Sequence, residues 1–101
     1  MATRKEVYEA IDSERDYQDS LWRPVQSRGD HSVTEFLLYI EDYVAEARKI
    51  LARTASPLAE EQALPVLRKI AALAVSCMEQ HDAPMRDPSD IHTAKDRHGG
   101  I

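Results

Sequence analysis

Val66-Leu67-Arg68-Lys69-Ile70-Ala71-Ala72-Leu73-Ala74-Val75-Ser76-Cys77-Met78 is the stretch that decides how this chain folds. At 100° per residue its apolar side chains (Val66, Leu67, Ile70, Ala71, Leu73, Ala74, Val75, Cys77 and Met78) point to nearly every side of a helix. A helix that is apolar almost all round has to be central, with cover on several sides. The spacing predicts it over 58–80, with Ser56-Pro57 as N-cap and first helical proline. Pro65 falls inside that span and predicts a short first piece, then a kink or restart.

Working outward, two further helices are predicted. Phe36, Ile40, Tyr43, Val44, Ala47, Ile50 and Leu51 recur at three-and-four spacing, as one broad buried face of a helix over 33–54. Ser32 or Asp30 is placed to cap it. Residues 1–21 contain no Gly or Pro, and two of the three glycines of the chain are Gly99 and Gly100, which favours long helices over a turn-rich sheet. A helix over 3–22 opens on Thr3 and Glu6, a capping-box pair, and carries Val7, Ile11, Gln18 and Leu21 as a thin stripe. Pro24 is expected to end it, with 23–30 a loop. After His81 come Asp82, Pro84, Pro88 and Asp90 with few apolar neighbours, so 82–101 reads as an irregular or mobile tail behind one helical domain, 1–81. Three helices, one needing cover all round, are too few to close a bundle alone. The expectation is an all-α antiparallel helical bundle completed by homo-oligomerisation, with a second copy supplying the cover.

Composition narrows the function classes. The chain has 101 residues, 13 Lys+Arg, 18 Asp+Glu and a net charge of -5, so it is one domain and lacks the basic stripe that nucleic-acid backbones require. No apolar run approaches the roughly 20 residues that span a bilayer, and no basic-then-apolar leader opens the chain. Cys77 is the single cysteine and has no internal partner, which fits a reducing cytoplasm. Nucleic acid and membrane are therefore not expected partners.

Among polar residues, Glu35, Asp42 and Glu46 share one side of the second helix, with Glu41 beside them. Such carboxylates suit Mg2+, a hard cation that takes oxygen ligands, and equally suit a solvated face tied to Lys49 and Arg53. Cys77 and His81 have metal-compatible spacing, but two ligands make no zinc site and Cys77 lies on the apolar face. His92 and His98 have no matching partners. Lys69 follows Arg68 within the most apolar helix, where a cation either snorkels out or meets an anion.

Three segments carry a family resemblance. Glu14-Arg15-Asp16-Tyr17-Gln18-Asp19-Ser20-Leu21-Trp22 resembles the opening helix of small phage and bacterial MazG-like proteins. Leu38-Tyr39-Ile40-Glu41-Asp42-Tyr43-Val44-Ala45-Glu46-Ala47 is similar to that family's metal helix, and the stretch between Leu67 and Glu79 to its Ala/Val-rich core helix. The resemblance implies the all-α nucleoside-triphosphate pyrophosphohydrolase fold, a dimer or dimer of dimers, and Mg2+-dependent release of pyrophosphate.

The chain departs from the family's metal motif. Where the family carries Glu-Glu-x-x-Glu, it reads Glu41-Asp42-Tyr43-Val44-Ala45, and Val66 and Lys69 stand where the next helix supplies an acidic pair. At about 5 Å and an effective dielectric near 20, each unit of charge repulsion costs about 3 kcal/mol, and a divalent ion beside Lys69 meets twice that. The expectation is therefore a nucleotide pocket without hydrolysis and with no metal. Lys69 contacts phosphate, Glu41 and Asp42 accept hydrogen bonds from ribose or base, and Tyr43, Trp22 or Tyr39 stacks on a base. That describes a phage-encoded sponge for a host nucleotide second messenger. The alternatives are an Mg2+-dependent pyrophosphohydrolase with a rearranged metal site, and a helical interaction module without a ligand.

Overall fold

The computed structural model describes residues 1–26, 31–53 and 57–89, with side chains in the first stretch described through Leu21. Three helices make up its regular structure beyond a single turn: α1 (Arg4–Gln26), α2 (Val33–Arg53) and α3 (Leu58–His81), and no strand occurs among the described residues. The chain is all-α.

α1 and α2 begin where local side chains absorb orphan N–H groups. At α1 the Glu6 N–H donates to Thr3 Oγ1 at 3.1 Å, and the Thr3 N–H returns a bond to Glu6 Oε1 at 3.1 Å. At α2 the same exchange links Ser32 and Glu35, at 3.1 and 3.0 Å. These donors hold the Glu6 and Glu35 carboxyls below the ordinary glutamate value, the backbone N–H contributing most in each case. Pro57 itself occupies the N-cap of α3 and supplies no side-chain bond, while Ser56 lies outside the described residues. Asp82 ends α3 in the left-handed region (φ 52), and the Ala83 N–H bonds back to Met78 O at 3.2 Å.

Two proline expectations are corrected. α1 continues through Pro24 to Gln26, because a proline two residues from a helix end removes one backbone bond, and the bias against helix at the preceding residue is only a preference. α3 runs uninterrupted through Pro65. The carbonyl left without an N–H donor there belongs to Glu61, an exposed residue that water can reach.

α3 is the middle helix. α1 and α2 both pack on it and, among the described residues, not on each other. α2 and α3 are antiparallel, since Phe36 lies edge-on to His81 while Tyr43 lies by Lys69. α1 runs in the same direction as α3, with Val7 beside Leu64 and Arg15 bonded to Glu79. Burial stops well short of the all-round cover that the apolar pattern predicts. The buried hydrophobic residues are Phe36, Ala59, Val66, Ala72 and Leu73, whereas Leu64, Leu67 and Met78 of the same central helix are exposed. The radius of gyration, 15.9 Å, exceeds the roughly 13 Å of a compact domain of this length. Residues 82–89 carry no regular structure beyond a short turn at Pro88-Ser89, and 90–101 lie outside the described residues.

Candidate functional site

Two turns of α2 build the site. Tyr39, Asp42, Tyr43 and Glu46 stand at offsets of three, four and seven, so they rise from one side of the helix. Together they line an open cavity of about 360 Å3, within the size range of small-ligand sites. From α3, the Lys69 ammonium lies 5.8 Å from the centre of the Tyr43 ring. That distance is within cation–π reach, so the half-buried lysine lies against an aromatic face. Among the described residues neither Asp42 nor Glu46 forms an ion pair, although Lys49 stands three residues beyond Glu46. Their charge is left for the cavity and for water.

Of the residues predicted from sequence, Tyr39, Asp42 and Tyr43 share this wall and Lys69 adjoins it. Glu41 does not line it: one residue turns the helix by about 100°, which carries that carboxylate onto another exposed side. The Trp22 side chain lies outside the described residues, as do His92 and His98. Glu46, which the sequence places on the same side of the helix as Asp42, is a wall residue as well. Among the described residues no three His, Cys, Asp or Glu side chains gather as a metal would require.

A second polar region was hidden from sequence reasoning. On the α1 side of α3, Glu14 is buried to 7 % exposure and accepts a hydrogen bond from Arg68 Nε at 2.8 Å. Arg15 donates to Glu79 at 2.8 Å and to Asp19 at 2.9 Å. Burial works against the Arg15 charge, but these two carboxylates outweigh it and raise its pKa above the ordinary arginine value. Gln18, read as part of an apolar stripe, is 6 % exposed, and its Oε1 has no donor from the protein; Gln80 Oε1 is in the same condition. The cross-helix pairs join residues 54 and 64 positions apart, and no periodicity in a single chain announces such partners.

At the far end of the α2–α3 pair, His31 lies edge-on to Phe36 and Tyr39, and its backbone carbonyl is 2.8 Å from His81 Nε2. Comparison of the chain with protein-family models, with curated proteins and with solved structures finds no match.

Proposed function

We propose that the chain is a non-catalytic nucleotide-binding protein that sequesters its ligand, in the manner of a phage-encoded sponge for a host nucleotide second messenger. The observation that carries this reading is the placement of Lys69 over Tyr43 beside the Tyr39–Asp42–Glu46 wall. Two aromatic rings and two carboxylates line one small volume, with a cation beside it on the Tyr43 ring. Phosphate is matched by Lys69, a base by the face of Tyr39 or Tyr43, and ribose or base donors by Asp42 and Glu46. The same lysine argues against a divalent ion, because it places a positive charge where the enzymes that the chain resembles carry ligand carboxylates. On this reading the residues bind a nucleotide without Mg2+ and without hydrolysing it.

The partial burial of α3 supports self-association as the remainder of the proposal, the homo-oligomer completing the bundle. Among the described residues no helix is long and apolar enough to cross a membrane, and a cytoplasmic site of action is part of the same reading.

Incubation with Mg2+ and a panel of nucleoside triphosphates is expected to release no pyrophosphate, while at least one mono-, di- or cyclic nucleotide raises the melting temperature. Lys69→Glu removes that stabilisation and keeps the helical circular-dichroism signal. Pyrophosphate release that vanishes in Glu41→Gln would return the chain to the hydrolases. Thermal indifference to every nucleotide would leave an interaction module.

A further inference from the structure

The wall of Tyr39, Asp42, Tyr43 and Glu46 has a hydrogen-bonding polarity that restricts what it can hold. An ionised carboxylate offers acceptors and no donor, so Asp42 and Glu46 together present an acceptor-only surface. The tyrosine hydroxyls donate or accept alike and leave that polarity unchanged. The two carboxylates stand four residues apart on an exposed side of α2, a spacing at which like charges cost a helix stability. Among the described residues no ion pair relieves either of them. Lys49, a turn beyond Glu46, lines a different cavity with Ala45, Arg48 and Ala52. A ligand edge made of N–H or O–H donors answers such a wall, and an edge that carries a lone pair does not.

Formal charge narrows the occupant further. Two wall carboxylates are set against one adjoining ammonium, Lys69, so the site keeps one negative charge in excess. Lys69 can match a single phosphate charge, whereas every further one meets net repulsion. The cavity, about 360 Å3, lies at the small end of the range of ligand sites and suits one nucleotide rather than two. The bases differ in what their edges show an acceptor-only wall. Guanine carries a ring imino N–H beside an exocyclic amino group, two donors in a row that one carboxylate can take together. Adenine and cytosine set their amino donor beside a bare ring nitrogen, which puts a lone pair opposite a carboxylate oxygen. Uracil and thymine hold a single N–H between two carbonyls.

We infer that the site selects a guanine base on a nucleotide that carries a single phosphate charge, with Asp42 and Glu46 as the specificity-determining residues. The inference rests on the nucleotide-binding reading proposed above and names its ligand class. In the bound arrangement one carboxylate accepts both guanine donors and the other accepts from a ribose hydroxyl. The ring lies against the tyrosine faces and Lys69 meets the phosphate. Discrimination comes from rejection as much as from attraction: a wrong base leaves acceptors opposed across the contact, with neither side able to supply the proton.

Isothermal titration of the full chain with cyclic GMP, cyclic IMP, cyclic AMP and GTP tests the assignment. Cyclic GMP is expected to bind about tenfold or more tighter than cyclic AMP. Cyclic IMP, which keeps the imino N–H and lacks the amino group, is expected between them, and GTP below cyclic GMP. Asp42→Asn and Glu46→Gln each replace an acceptor-only group by an amide that donates as well. At least one of these changes, both at exposed positions, is expected to bring the ratio of cyclic GMP to cyclic AMP affinity toward one while the helical signal is kept. Equal affinity for the two cyclic nucleotides, tighter binding of GTP, or a ratio that neither variant moves overturns the guanine assignment and leaves nucleotide binding standing. Should none of the four bind, the guanine assignment falls, and the wider thermal panel decides the nucleotide reading separately.

Discussion

The two contacts of α3 differ in kind. Against α2 it packs aromatic and aliphatic side chains: Phe36, Val66 and Leu73 are buried, and His31, Phe36 and His81 meet edge to face. Against α1 it relies on charge, with Arg68 on buried Glu14 and Arg15 on Glu79. Apolar contact tolerates salt and pH, whereas an ion pair loses value when screened or when its carboxylate takes up a proton. The difference teaches that α2 and α3 form the stable unit and that α1 is a conditional attachment to it.

The largest expected effect comes from striking the stable contact. Phe36→Ala is expected to cost about 3–5 kcal/mol, measured by denaturant unfolding, because it empties a fully buried ring site. A loss below 1 kcal/mol would show that the α2–α3 contact is no stronger than the α1 contact. Next is Arg68→Ala, which leaves Glu14 buried without its partner. A cost of about 2 kcal/mol is expected, less than for a fully buried pair because Arg68 is itself part-exposed and water reaches it. Native-state amide exchange should then accelerate across α1 and stay unchanged in α2. Equal acceleration in both would break the comparison.

The smallest effect concerns the caps. Ser32→Ala is expected to lower stability by about 1 kcal/mol and Thr3→Ala by a similar amount. The sign with pH follows from their carboxylates. Glu6 and Glu35 titrate below 4.5 in the folded chain, so their contribution is fully present above that pH. It is lost as pH falls through the lower folded-state values. Glu6→Gln and Glu35→Gln, which remove the titrating charge, should therefore melt below wild type at pH 7 and converge with it as the pH falls to 3. A constant gap would show that the carboxylates take no part in capping.

How much was legible depended on how far apart the partners lie. Thr3 with Glu6, and Ser32 at the head of α2, could be read because cap chemistry acts over three residues. The acidic and aromatic wall of Tyr39, Asp42 and Tyr43 was legible for the same reason, as it lies on a single stretch of helix. The contact between Lys69 and Tyr43 spans two helices, so the sequence could offer the lysine only as a cation in search of a partner. Val44 and Leu51 were read as buried with Phe36, because three-and-four spacing reports that a side chain is apolar and on a broad face. It does not report which half of that face a neighbour covers. Glu14 was invisible as a buried group, since nothing near it in sequence foretells Arg68.

By itself, then, the sequence determined the three helices, most of their caps and the apolar excess of the third. Helical periodicity and capping are local, and 100° per residue carries them directly from order to geometry. Only the tertiary structure decided which arc of α3 meets α1, which meets α2, and which is left open. Those outcomes depend on competition among faces for one central helix, with α1 held by charge and α2 by aromatic packing. The order of residues records the competing surfaces and leaves the result to packing.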